Sequence, residues 1–146
     1  MKEQTLKQIY SLSYDRRKSA PDWYNKLIKK TYNQIESFEV AKMLIHDILP
    51  ELAIEKIIDY FIINPFDGYW IDGDYLKLFV EKSEMFFASK NPALSQMLDI
   101  IENMDSKTAQ SKEQWGYDYD CDEEGCQEFL KMLLKAKEII SQHKIN

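Results

Sequence analysis

Apolar residues recur at intervals of three and four along most of this chain, which is the period of an amphipathic helix. Leu6, Ile9 and Tyr10 open a first segment that the pattern ends near Arg17. Ser19 and Pro21 restart it, because proline suits the first helical position and Asp22 beside it meets the positive end of the helix dipole. Trp23, Leu27, Ile28, Tyr32, Ile35 and Phe38 follow, and Met43, Leu44, Ile48 and Leu49 prolong the pattern to Pro50, as one long helix or a broken pair. Between Glu51 and Ile63 the set Leu52, Ile54, Ile57, Ile58, Phe61 and Ile62 is broad enough to predict a more deeply buried helix, which Asn64-Pro65 stops.

The segment from Phe66 to Asp74 holds two of the four glycines and is the main loop of the first half. Asp72 or Asp74 can cap the next helix, whose inner face is Leu76, Phe79, Val80, Met85, Phe86 and Phe87. Asn91-Pro92 ends that element. Leu94, Met97, Leu98, Ile100, Ile101 and Met104 then mark a core helix over Ala93 to Met104, and a polar stretch from Asp105 to Glu113 leads onward. The last helix runs through Phe129, Leu130, Leu133, Leu134, Ile139 and Ile140, with Glu123 and Glu124 at its start and Lys131, Lys135, Lys137 and Lys144 toward its end. Strand candidates are confined to Tyr69–Ile71 and Trp115–Tyr119, too few for a substantial sheet. The expectation is an all-α protein, a bundle or short array of five to seven helices in a single domain spanning 1–146.

Composition agrees with that class. At 146 residues, 45% hydrophobic and with only four Gly and four Pro, the chain can bury a core without metal or disulfide. Met1 to Lys18 is interrupted by charges and has no apolar run of signal-peptide length, and Ile57 to Ile63 falls far below the ~20 residues a spanning helix needs. A cytoplasmic protein with no membrane partner is expected. Cys121 and Cys126 lack further ligands at zinc spacing and read as two ordinary thiols. His46, among Leu44, Ile45, Ile48 and Leu49, reads as structural, and His143 as part of a tail. No phosphate loop, dinucleotide fingerprint, nucleophile elbow or zinc-protease motif occurs, so no cofactor and no enzymatic activity are implied.

Charge changes the picture at one place. Seven acids, Glu113, Asp118, Asp120, Asp122, Glu123, Glu124 and Glu128, fall in one stretch with no Lys or Arg until Lys131. The formal net charge is −6, so the remaining eighteen acids and nineteen bases nearly cancel. Trp115, Tyr117 and Tyr119 are threaded through the acids, and Phe66, Asp67, Tyr69, Trp70, Asp72 and Asp74 repeat the same mixture. Asp118-Tyr119-Asp120-Cys121-Asp122 copies the first spacings of a calcium loop, but the sixth position is Glu123 instead of Gly and the twelfth is Phe129 instead of Glu. Arg16-Arg17-Lys18 with Lys26, Lys29 and Lys30 makes only a modest basic patch, and a sequence pI near 5.0 argues against nucleic acid as the main partner.

Aromatic side chains supply contact area at interfaces, and carboxylates beside them pair with a partner's Lys and Arg and steer its approach. The expected function is therefore a binding protein for a basic protein. Its contact residues are Trp115, Tyr117, Asp118, Tyr119, Asp120, Asp122, Glu123 and Glu124, joined by Asp67, Tyr69, Trp70, Asp72 and Asp74 where the two loops share one surface. In size, charge and patch chemistry the chain resembles the small acidic immunity proteins that bacteria make against their own toxins, several of which block basic nucleases by occupying the surface that nucleic acid would use. The resemblance implies a toxin as partner and occlusion as mechanism. A second reading makes Asp118, Asp120, Asp122 and Glu124 the ligands of a metal-dependent or carboxylate-using enzyme, and a third makes the protein a helical adapter that docks a peptide in an apolar groove.

Overall fold

The computed structural model describes residues 4–9, 22–65, 74–105 and 123–145. Among them it forms eight α-helices and one 3-10 turn: α1 (Leu6–Ile9), α2 (Asp22–Ile28), the turn Tyr32–Gln34, α3 (Ser37–Ile45), α4 (Pro50–Ile63), α5 (Asp74–Glu81), α6 (Ser83–Ala88), α7 (Leu94–Asn103) and α8 (Glu123–Ile145). No strand occurs among the described residues, and the all-α expectation holds. The two strand candidates lie outside the described residues. The chain divides into two compact units, Met1–Val40 and Ala41–Asn146.

In the first unit one device recurs: a glutamine or glutamate three residues into a helix reaches back to the free N–H before it. Thr5 N–H donates to Gln8 Oε1 at 2.9 Å while Gln8 N–H donates to Thr5 Oγ1 at 3.3 Å. Thr31 N–H donates to Gln34 Oε1 at 3.0 Å, and Glu36 N–H to Glu39 Oε1 at 2.9 Å. These starts explain why the stretch between Pro21 and Pro50 is neither one helix nor a pair; it forms α2, the 3-10 turn and α3. The same Glu39 oxygen accepts from Lys30 Nζ at 2.7 Å, so a carboxylate only 5% exposed is satisfied twice. Leu6 N–H donates to the Lys30 carbonyl at 2.8 Å and Thr5 bridges Thr31, which ties α1 to the exit of α2 over buried Leu6, Leu27 and Ile28. Phe38, expected on the apolar face, is 42% exposed.

The second unit opens at Ala41, within α3, and the end of that helix belongs to it. Asp47 has a φ of 57°, and around it Asp47 N–H donates to the Leu44 carbonyl at 3.3 Å and Ile48 N–H to the Met43 carbonyl at 2.8 Å. This is the left-handed helix stop in which glycine is the usual residue. Leu49 is also left-handed, at φ 45°, and Pro50 then begins α4. Asn64 closes α4 by donating its N–H to the Tyr60 carbonyl at 3.0 Å.

The core of this unit is built on α8, whose buried residues Phe129, Leu133, Ala136 and Ile140 follow steps of four, three and four. α8 packs on α5 and α7, and α4 packs on the same two helices. Ile54, Ile57, Ile58 and Phe61 of α4, Leu76 and Phe79 of α5, Phe86 of α6, and Met97 and Ile101 of α7 fill the interior. The single helix expected from Leu76 to Phe87 breaks at Lys82 into α5 and α6. Phe79 and Phe86 would stand about 10 Å apart along a continuous helix. The break lets their rings meet edge to face at 5.4 Å, with Phe87 at 5.9 Å from Phe79. Asn91 starts the next element, its Oδ1 accepting from Ala93 N–H at 2.8 Å. His143 is no tail residue: it lies in α8 and stacks on Phe87 at 3.7 Å, while Lys144 Nζ pairs with Glu102 Oε1 at 2.6 Å. Leu134, expected in the core, is 57% exposed.

Two predictions follow from these contacts. Glu39→Ala is expected to destabilise the protein by about 2 kcal/mol in urea titration, because it strands the Glu36 N–H and the Lys30 ammonium together, and Glu39→Gln by about half as much. Asp47→Gly should stabilise by about 0.5–1 kcal/mol, since only the side chain opposes the left-handed turn, whereas Asp47→Val should destabilise.

Candidate functional site

Most residues that the sequence nominates for partner binding, namely Trp115, Tyr117, Asp118, Tyr119, Asp120, Asp122, Asp67, Tyr69, Trp70 and Asp72, lie outside the described residues, as does Cys121. Glu123 and Glu124 are the first two residues of α8. Asp74 begins α5 and is 6% exposed. The two helices, α5 and α8, pack directly on each other.

Within the described residues α4 carries a row of acids on its exposed side. Leu52, Ala53, Ile54, Lys56, Ile57, Ile58 and Phe61 hold this helix against the interior. Glu51, Glu55 and Asp59 are exposed at steps of four, about 6 Å apart along the axis, and the next step is Ile63 at 81% exposure. The ion pairs among the described residues are Lys30–Glu39, Glu128–Lys131 and Glu102–Lys144, so none reaches this row. Apolar periodicity alone does not find it. Its signal is the complement, the polar positions left over when the apolar face of Glu51 to Ile63 is assigned.

Beside the row lies an aromatic pair that connects α4 to α5. Tyr60 stacks on Tyr75 with ring centroids 5.5 Å apart and 25° between planes, and Lys56 Nζ stands 5.9 Å from the Tyr60 centroid. Burial pushes the Tyr60 phenol above its usual 10.0, and the Asp59 carboxylate adds to the rise. Chemically, the face offers fixed negative charge with one apolar contact at its end.

Comparison with known families decides which kind of protein carries this surface. A family model of CDI immunity proteins matches residues 5–97, more than half of the 146-residue chain. The chain belongs to the CDI immunity proteins. The comparison with curated proteins and that with solved structures each return no match. In this immunity protein the matched span contains α1 to α6, the residues Asp67, Tyr69, Trp70 and Asp72, and the whole α4 row, whereas the acidic stretch 113–128 lies beyond it. No helix among the described residues of the immunity protein is long and apolar enough to cross a membrane.

The Tyr60 environment sets an alkaline limb on stability. The folded protein holds this phenol's proton more tightly than the unfolded chain does, so the contribution is intact below about pH 10 and is lost as pH rises through the raised folded value. Urea titrations between neutral pH and about pH 11 should show Tyr60→Phe falling less steeply than the parent protein. Equal slopes would remove Tyr60 from the alkaline response.

Proposed function

We propose that this immunity protein neutralises a basic toxin in the cytoplasm by covering the toxin's cationic working surface, without catalysis of its own. The observation that carries the reading is the concentration of charge: seven acids in residues 113–128 hold more than the whole excess of the −6 chain, and three aromatics stand among them. Asp118, Asp120, Asp122, Glu123 and Glu124 pair with the toxin's Lys and Arg, and Trp115, Tyr117 and Tyr119 provide the contact area that water leaves. Asp67, Tyr69, Trp70 and Asp72 extend this surface, and Asp74 begins α5 directly after them in sequence. Family membership supports a toxin as the partner. The acidic balance supports its being basic.

The test is a binding titration with a purified CDI toxin domain from the same organism. Asp118→Asn, Asp120→Asn and Asp122→Asn together should leave the melting temperature within about 2 °C, weaken binding about tenfold at low ionic strength and flatten its salt dependence. Trp115→Ala should cost about 2 kcal/mol or more of binding energy. Unchanged affinity and salt slope in the triple variant would take the acidic stretch out of the mechanism.

A further inference from the structure

We infer that the outer row of α4, Glu51, Glu55, Asp59 and Ile63, is a toxin-docking face in its own right, shaped for a Lys- or Arg-bearing strip of the toxin that ends in an apolar depression for Ile63. This rests on the reading that the protein covers a basic toxin, and it names a part of that interface which the acidic stretch does not supply.

The first argument is that the row works against the helix that carries it. Like charges four residues apart destabilise a helix, and here the unfavourable step occurs twice, from Glu51 to Glu55 and from Glu55 to Asp59. Only Glu51, in the first turn, meets a favourable dipole. Asp59 stands in the second half of α4, toward the negative end, and it also raises the proton affinity of its neighbour Tyr60. Lys56, three residues before Asp59, is the one base on α4, and with its ammonium standing over the Tyr60 ring it offsets these terms only in part. Charge that destabilises the free fold in this way is neutralised when a cationic partner arrives.

The second argument is Ile63. At 81% exposure it is the most exposed large apolar residue described, and it continues the same four-residue step instead of joining the core that Ile57, Ile58 and Phe61 form one turn earlier. An apolar contact flanked by charge is the composition of a protein interface, with an apolar centre and a polar rim. The third is rigidity. Seven buried residues fix a 14-residue helix, so the row is presented in a set geometry and needs no ordering on binding. Finally, the whole row lies inside residues 5–97, the span shared with a family defined by its toxin partners, and the acidic stretch does not.

The experiment separates docking from folding by sign. Full-length Glu51→Gln, Glu55→Gln, Asp59→Asn protein should melt about 2 °C higher than the parent, yet bind the same purified CDI toxin domain about tenfold more weakly at low salt, with the difference gone near 0.5 M salt. Ile63→Ser should weaken binding about fivefold at both salt levels. Unchanged affinity in both variants would overturn the inference, and so would weakened binding accompanied by a lower melting temperature, which would assign the row to the fold. If Asp118→Asn, Asp120→Asn, Asp122→Asn alone weakened binding, toxin occlusion would stand and the α4 face would fall. A parent protein that formed no complex would remove both. A concentration-dependent dimer abolished by the α4 variant, with toxin affinity unaltered, would give the face to a second copy and overturn the proposal.

Discussion

Everything in the larger unit depends on one strip of apolar burial, Phe129, Leu133, Ala136 and Ile140 of α8 against α5 and α7. Isolated helices shorter than about 12–15 residues are marginal in water. α5, α6 and α7 have eight, six and ten residues and could not persist alone. The 23-residue α8 gives two of them a continuous template. Phe79 then joins the third, because its ring is met edge-on by Phe86 and Phe87, and Phe87 is in turn held by His143 near the far end of α8. The side of α4 turned inward closes the same core, and this leaves its other side free to carry charge.

Much of this architecture is legible in the sequence because burial writes itself as periodicity. α4, α7 and α8 fall where the apolar spacing predicts them, and Asn64-Pro65 and Asn91-Pro92 act as the boundaries their backbone preferences dictate. What escapes is non-local. The break at Lys82 follows from the need to bring Phe86 onto Phe79, a tertiary demand that helix propensity does not register. The 3-10 turn at Tyr32 follows from Gln34 reaching back to Thr31, a contact of three residues hidden within a longer apolar rhythm. Leu134 sits at helical spacing yet is mostly exposed, because periodicity marks a face without saying whether another element covers it.

The same distinction separates the two acidic features. The stretch from Glu113 to Glu128 is conspicuous in one dimension, where acids crowd together. The α4 row is dispersed in sequence and becomes a feature only when the helix aligns Glu51, Glu55 and Asp59 on one side. The spacing that aligns them was readable beforehand, but only as the residue of an apolar pattern. Family membership joins the two, since it assigns the chain a toxin partner while its matched span includes one feature and stops short of the other.

α8 holds a last consequence in its distribution of charge. Glu123, Glu124 and Glu128 gather at its beginning and Lys135, Lys137 and Lys144 in its second half, over a length of roughly 34 Å. Each group opposes the partial charge of the backbone at its own end, which steadies the helix. Taken as full charges, however, they give this helix a permanent electric moment along its length. In the field of a charged body such a moment feels a torque, so charge separated along one element acts on orientation as well as on attraction.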